Sequence, residues 1–450
     1  MKTALIILAA GKGTRMNSDL PKVLHPLASQ PLLIHAIASG DCLDPAMTVV
    51  VAGHGAEKVR AATLAHDAQI RVVEQTEQLG TAHAVAQSRE ALEGFDGTAL
   101  VLYGDTPFIQ PETLERMQAA LADNDVVILG FEPADPARYG RLVMNGAQLD
   151  RIVEYKDASE AERSITLCNS GVVACKADLL FDLIDAVDNK NASGEYYLTD
   201  IVGIARSRGL SATAVTCAEW ETLGINSRAE LASAEAAFQS RARAALMEDG
   251  VTLIAPDTVF LSRDTVIGRD TVIEPNVFFG PDVTVESGAT IRAFSHLEGC
   301  HVSRGGTVGP YARLRPGTEL AEDVRIGNFV EIKNAQIAEG AKVNHLSYIG
   351  DATIGAAANI GAGTITCNYD GVMKHHTHIG AGAFIGSNTM LVAPVTIGDG
   401  ALTGSGSVIT SDVEPHALAV ARAPQVEKPG MARKLFEMLK AKKAKQQRGS

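Results

Sequence analysis

Apolar and polar positions divide this chain into two regions with different periods. Up to about residue 131, short apolar runs at 3–9, 47–52, 70–74, 99–103 and 126–131 read as buried strands. Between them, 31–39, 56–64, 81–92 and 111–121 carry helical spacing. Strand–helix alternation predicts an α/β, Rossmann-like domain, with a mostly parallel sheet covered on both faces and ligands at the carboxyl ends of its strands. From 227 to 248 the chain is rich in Ala, Glu and Arg and lacks Pro and Gly, which predicts a helix of about 20 residues and ~30 Å. Asn226 or Ser227 can cap it and Gly250 ends it.

Beyond 250 the period becomes six. Apolar residues recur at Ile267, Ile273, Phe279, Val285, Ile291 and Leu297, then from Val308 to Ile332 and from Ile337 to Ile349. The series continues at Ile354 and Ile360 and from Ile379 to Ile409, 22 positions with Thr403 the one polar member. Six fits neither a helix nor a free strand. It fits a parallel β-helix of hexapeptide repeats, whose coils stack with one inward residue per side. Glycine often follows the inward residue, as at 268, 309, 327, 355 and 386, and is expected to permit the corner conformation. The open ends and flat faces of such a solenoid predict capping or self-association.

Composition sharpens this division. Residues 1–250 hold 18 of the 42 glycines and 251–450 hold 24, so the boundary falls where the period changes. The expected organisation is a domain at 1–226, a linker helix at 227–250, the β-helix at 251–426 and a basic tail at 427–450. The tail reads as solvated or partly ordered, with 431–440 able to form a helix. With 40 basic and 53 acidic residues the net charge is −13, which argues against broad contact with nucleic acid. No apolar run is long enough to span a bilayer, and the first run reads as a buried strand rather than a secretion signal. Six scattered cysteines without metal-ligand spacing suit a reducing cytoplasm, each as a small core residue.

The first domain carries its chemistry in Leu8-Ala9-Ala10-Gly11-Lys12-Gly13-Thr14-Arg15-Met16, followed by Leu20-Pro21-Lys22. A strand there runs into a Gly-rich loop whose N–H groups can approach phosphate, with Arg15 and Lys22 in reach of a triphosphate. The loop is neither the dinucleotide fingerprint nor a Walker loop. Asp105, in Leu102-Tyr103-Gly104-Asp105, follows a buried strand on the ligand side, where a carboxylate can hold Mg²⁺ against phosphate.

In the β-helix, breaks in the ladder are the places to search. Arg315 and Lys333 are three hexads apart, so in a three-sided coil they stack on one face as a phosphate clamp. His345 falls near the next level and is a general-base candidate. The largest break, 364–378, contains Asn368, Tyr369 and three histidines. A metal site and a loop reaching over a neighbouring subunit's site are both compatible with it, and the histidine spacing matches no known ligand set.

LAAGKGTRM and LPKVLH, with Gln75, QLGT (78–81), LYGD, YGR (139–141) and GEYYLTD (194–200), resemble the sugar-1-phosphate nucleotidyltransferases. Together with the β-helix, the chain from about 3 to 425 resembles the bifunctional N-acetylglucosamine-1-phosphate uridyltransferase/glucosamine-1-phosphate acetyltransferases. The resemblance implies a left-handed β-helix, a homotrimer with acetyltransferase sites between subunits, and small-molecule substrates. It implies that Leu8, Ala9, Gly11, Gln75, Gly80 and Thr81 hold the uridine nucleotide, that Arg15 and Lys22 neutralise the triphosphate, and that Tyr103 and Gly104 line the same site. Gly140, Glu154 and Asn169 would bind the N-acetylated sugar, and Asp105 and Asn226 would hold Mg²⁺. Ala82 stands where the family pattern leads one to expect Gly, and its methyl is expected to tighten the nucleotide pocket. In the β-helix, His345 would be the base, with Glu331 orienting it. Arg315, Lys333, Tyr348, Asn359, Asn368 and Tyr369 would bind glucosamine-1-phosphate, and Ala362, Ser387, Ser405 and Arg422 would contact acetyl-CoA. Two other readings stay open at this point, a single-activity nucleotidyltransferase with a passive β-helix and a non-enzymatic scaffold.

Overall fold

The computed structural model describes residues 2–448, so the ends of the chain, including 449 and 450 of the basic tail, lie outside the described residues. The chain forms two compact units. The first runs to Ala245 and includes Phe260–Thr265; the second is Leu246–Val259 with everything from Val266 onward.

The first unit is built on a nine-stranded sheet: β1 Thr3–Ala9, β2 Met47–Ala52, β3 Arg71–Glu74, β4 Thr98–Tyr103, β5 Val126–Phe131, β6 Arg141–Asn145, β7 Gln148–Val153, β8 Cys168–Lys176 and β9 Ala212–Cys217. Its main path is β9-β5-β8-β4-β1-β2-β3, with β6 and β7 attached beyond β8. β4, β1 and β2 pair in parallel as apolar runs buried on both faces, and the partly exposed strands β3 and β9 continue the parallel pairing beside β2 and β5. Two apolar layers cover the sheet, one around Ile6, Val101 and Leu180 and one around Leu5, Leu102 and Leu114. The sequence pattern omitted β8, which runs antiparallel between β4 and β5. Its alternation breaks at Asn169-Ser170-Gly171, where the register shifts and Gly171 takes φ +93°. The expected helix at 81–92 is also split, into Thr81–Ala86 and a 3-10 turn at Glu90–Leu92.

The helix Arg228–Glu248 begins where Ser227 Oγ accepts from Glu230 N at 3.2 Å. It is not a bare strut, because Gln239 exchanges hydrogen bonds with the backbone of Leu261, and Glu235 accepts from Ala28 N at 2.8 Å.

In the second unit all 22 ladder residues are buried. Thr403 is no exception to the packing, since its hydroxyl accepts from Gly386 N at 3.0 Å. Short parallel strands stack coil on coil in three columns. The first runs from Thr252–Leu253 to Leu418–Ala419, the second includes Arg313–Leu314, and the third includes Thr318–Leu320. Where the ladder slips by one residue, a left-handed Asn334 or Asp351 turns the corner inside the long strands Glu331–Ile337 and Tyr348–Ile354. The ladder glycines need a different explanation from the one expected. Of those named, only Gly309 has a positive φ. At Gly327 an added Cβ would lie 2.0 Å from Asn344 O of the next coil, and at Gly386 2.4 Å from Thr403 O. These glycines allow close stacking, and the left-handed corners go to other residues, among them Phe294, Tyr311, Phe329 and Leu346.

The tail forms a helix, Met431–Arg448, and every residue from 431 to 447 is exposed, so it is solvated but regular. The cysteines are free, but only Cys168, Cys175 and Cys300 are core residues, and Cys42 is exposed. No helix among the described residues is long and apolar enough to cross a membrane.

Candidate active sites

At the carboxyl ends of β1 and β4, where Leu8 pairs with Tyr103, the sheet opens into a cleft of about 320 Å³. Leu8, Ala9, Gly11, Lys22, Gln75, Gly80, Thr81, Tyr103 and Asp105 all line it. Gly104 does not line it but ties the two strand ends together, its N–H donating to Leu8 O at 2.9 Å.

One wall is braced by two motifs that lie far apart in sequence. Gly80 has φ +123°, and a Cβ there would lie 2.4 Å from Tyr196 O. Tyr196 N donates to Leu79 O, Ala82 N donates to Tyr196 O, and Leu198 N donates to Thr81 Oγ1 at 2.9 Å. The segment 194–200 therefore holds the 78–81 loop in place. Buried Gln75 reaches into the loop, donating from Nε2 to Gly80 O at 3.1 Å.

The sugar-site candidates do not line this cleft and gather instead beyond Tyr103. Asn169 N donates to Gly140 O at 2.9 Å, and a Cβ on Gly140 would sit 3.3 Å from Glu154 Oε1, so the three residues adjoin. The β8 bulge turns Asn169 Oδ1 back onto Gly171 N at 3.0 Å and brings Gly171 against the Tyr103 ring. Burial pushes the Glu154 carboxyl above its ordinary range, partly offset by the Thr199 hydroxyl donating to it at 3.3 Å. Burial, with Asp105 and Glu154 nearby, likewise raises the Tyr103 phenol.

Asp105 and Asn226 converge because Ile225 N donates to Asp105 O at 3.0 Å. The Lys22 ammonium sits between them, paired with Asp105 Oδ2 and donating to Asn226 Oδ1 at 3.0 Å. A cation already occupies the point where the two oxygens meet. A carboxylate and an amide oxygen suit Mg²⁺, which takes its remaining positions from water and phosphate.

Two expectations change here. Arg15 is exposed on the turn Thr14–Met16, which Met16 anchors in the core, and is not part of the cleft wall. Ala82 is 1% exposed and packs into the sheet core, so its methyl does not tighten the nucleotide pocket.

In the second unit, Leu314 pairs with Ile332, which sets Arg315 beside Lys333 in successive coils. Above Lys333 comes Gly350, which presents no side chain. Tyr348 stacks on Glu331, and Asn368 Nδ2 lies 3.5 Å from the Tyr348 hydroxyl. Asn368 and Asn334 both donate to Asp351, at 2.5 and 2.6 Å. Burial raises the Asp351 carboxyl, but these amides with Lys333 and Lys374 outweigh it and hold the group low.

His345 stands on the first column, at the corner before the second, and a further line of residues continues it. Leu346 N donates to Asn328 O, Gly363 N to His345 O, Asn388 N to Ala362 O, and Gly406 N to Ser387 O. Asn328, His345, Ala362, Ser387 and Ser405 thus occupy one position in successive coils, and Arg422 Nη1 donates to Ser405 O at 2.7 Å. The expected partner of His345 is wrong. Glu331 accepts from Arg315 Nη1 at 2.8 Å, whereas His345 Nδ1 lies 2.9 Å from Asn328 Oδ1.

Asn359 is not gathered with the clamp. It stacks between Lys342 and Phe384 on the first column, while Arg315, Lys333 and Tyr348 lie on the second. The 364–378 insertion folds on itself as a small hairpin, Tyr369 pairing with Lys374, whose ammonium lies 4.7 Å from the Tyr369 ring. His375 pairs with Asp370 at 2.7 Å and His376 bonds Thr353, so these histidines have local partners. Among the described residues, no group of three or more His, Cys, Asp or Glu side chains could hold a metal.

Two contributors escaped the sequence reading. Arg141, 2% exposed, donates to the carbonyls of Pro136, Ala137 and Tyr139 and so fixes the loop that carries Gly140. Lys374 hid among the loop residues, and only its spatial approach to Asp351 distinguishes it.

The fold and its two sites define a nucleotidyltransferase joined to a hexapeptide-repeat transferase. Residues 5–166 match the MobA-like NTP transferase domain, and 264–299 and 376–411 match the bacterial transferase hexapeptide repeats. The chain is 73% identical to the bifunctional protein GlmU of Roseobacter denitrificans over the full length of both. The GlmU proteins of Ruegeria pomeroyi and of a second Ruegeria species are 72% and 70% identical, also with full coverage of both chains. The chain belongs to the family of bifunctional GlmU proteins.

Proposed function

We infer that this chain makes UDP-N-acetylglucosamine, a precursor of cell-wall peptidoglycan and lipopolysaccharide, in two transfers at two sites. Acetyl passes from acetyl-CoA to the amine of glucosamine-1-phosphate. Uridylyl then passes from UTP to the N-acetylated sugar phosphate, and pyrophosphate leaves. The observation that carries this reading is the full-length relationship to bifunctional GlmU proteins in a chain that builds both sites.

We assign uridylyl transfer to residues 1–226 and acetyl transfer to 251–426. In the first reaction site two anions must meet, so the residues supply positive charge and in-line placement rather than a base. Lys22 neutralises phosphate, Gly11 offers backbone N–H, Gln75, Gly80 and Thr81 seat the base, and Gly140, Glu154 and Asn169 seat the sugar. Asp105 and Asn226 would hold Mg²⁺, which supplies Lewis-acid stabilisation of phosphate charge when bound. Arg15 would join the phosphates from its turn.

In the β-helix, His345 removes a proton from the sugar amine as nitrogen attacks the thioester carbonyl, and the thiol of CoA departs. Arg315 and Lys333 clamp the sugar phosphate, with Tyr348, Asn368 and Tyr369 on its flank. The line Ala362, Ser387, Ser405 and Arg422 offers acetyl-CoA a straight track that begins one coil above His345. Asn359, on the other side of the corner, supports a site completed by a second copy of the chain, and the family resemblance sets the number at three. The scattered free thiols support a cytoplasmic enzyme.

The test is omission. Protein is incubated with glucosamine-1-phosphate, acetyl-CoA, UTP and Mg²⁺, each is left out in turn, and free thiol and pyrophosphate are followed. Thiol release without UTP, with pyrophosphate release that requires acetyl-CoA, is the expected result. Pyrophosphate without thiol would reduce the β-helix to an assembly device.

A further inference from the structure

Successive coils place Asn328 and His345 in register, one directly above the other. The His345 ring points at the Asn328 side chain, Nδ1 to Oδ1 at 2.9 Å. The backbones around both are pinned. Leu346 N donates to Asn328 O at 3.1 Å, and His345 O accepts from Gly363 N at 3.1 Å and from the Ser347 hydroxyl at 2.8 Å. Both residues precede a left-handed corner, Phe329 at φ +55° and Leu346 at φ +51°, so each side chain leaves the coil at the same angle.

An amide oxygen can only accept. Facing Oδ1, Nδ1 must carry the ring proton, which leaves the lone pair on Nε2, the atom directed away from Asn328. A neutral imidazole can exist as either tautomer, and only the one with a bare Nε2 can take a proton at that position.

We propose that Asn328 is the positioning residue of the acetyl-transfer base, fixing both the tautomer and the rotation of His345. This rests on the reading of His345 as the base. Glu331 does not take this role, because its carboxylate is committed to Arg315. Asn328 differs from a carboxylate partner in one respect that matters. It orients the ring through a neutral oxygen and sets no negative charge beside it.

The test uses full-length protein carrying Asn328→Ala, Asn328→Asp or His345→Ala. Uridylyl transfer in each checks the first unit, and a thermal melt and elution volume matching the parent check that the β-helix is folded. In Asn328→Ala, acetyl-transfer kcat should fall at least tenfold, with KM for glucosamine-1-phosphate and acetyl-CoA within about twofold, since no substrate contact is lost. Asn328→Asp restores an acceptor at the same point, so it should recover much of that kcat. Its carboxylate favours the imidazolium, so the acid limb of the pH–rate profile should move up by about one unit. An Asn328→Ala enzyme within twofold of the parent kcat, beside an inactive His345→Ala, overturns the positioning role and leaves the base intact. Asn328→Asp no better than Asn328→Ala also overturns it. Full acetyl transfer by His345→Ala overturns the base reading itself.

Discussion

The two sites are assembled in opposite ways. The uridylyl cleft is concave and self-contained: loops from five parts of one chain meet at the ends of β1 and β4 and brace one another through backbone hydrogen bonds. The proposed acetyl-transfer residues stand on regular faces of the solenoid, spread along two columns on either side of a corner. A Rossmann-like sheet creates a crevice wherever its loops diverge, whereas a solenoid creates only faces. A face becomes a pocket when something is set against it, so one activity should survive isolation of the chain and the other should not.

The sharpest separation is by single substitutions. Asp105→Ala removes the carboxylate proposed to hold metal against phosphate, worth several kcal/mol, so uridylyl transfer should fall roughly 10³-fold or more while acetyl transfer is spared. Uridylyl transfer unchanged in that variant breaks the metal assignment. His345→Ala should do the reverse, with a loss of roughly 10²–10⁴-fold, or about 3–5 kcal/mol of barrier, in acetyl transfer alone.

A mixing experiment tests the shared site directly. Asn359→Ala and Arg315→Ala should each be poor acetyltransferases. Unfolded and refolded together in equal amounts, they should regain roughly a quarter of the sites, since that fraction of interfaces receives an intact face from each copy. No recovery would place Asn359 and Arg315 in one subunit's site and end the contrast. A smaller effect comes from Gly80→Ala. Its φ of +123° and the approach to Tyr196 O make the added methyl cost roughly 1–3 kcal/mol, read as a lower Tm and a raised KM for UTP with acetyl transfer unchanged. The smallest effect concerns Glu154. Burial favours its neutral form, so the folded state keeps this proton to higher pH than the unfolded chain does, and the stability it contributes is present at low pH and lost as pH rises through the raised value. If its carboxylate accepts from the sugar, KM for the sugar phosphate rises as pH falls through a window above the ordinary Glu value, and Glu154→Gln abolishes that dependence.

The ladder was legible in the sequence because each inward position answers to one requirement, filling the axis, and repeats it 22 times. Strands β1, β2 and β5 were legible for a similar reason, being continuous apolar runs. β8 was not, because the bulge that carries Asn169 interrupts its pattern. The partner of His345 was misjudged because Asn328 lies 17 residues before it rather than a multiple of six, a register that only the stacked coils reveal. The glycines were placed correctly and explained wrongly. A sequence does not distinguish a residue that needs a positive φ from one that needs an absent Cβ. Arg141 stood in the YGR motif with no role of its own, and only the folded chain shows it as the clamp of its own loop.

The line from His345 through Ala362 and Ser387 to Ser405 has one more consequence. Successive coils lie about 4.8 Å apart, so this line covers three steps, or roughly 14 Å. On the proposed roles, the solenoid acts as a ruler graduated in coils, with the base at one mark and the grip on the far end of the cofactor at another. Because each coil touches only its neighbours, an extra coil spliced in above Ser387 could leave the fold intact and still set the ruler to the wrong length, separating thioester from base without altering a single functional side chain.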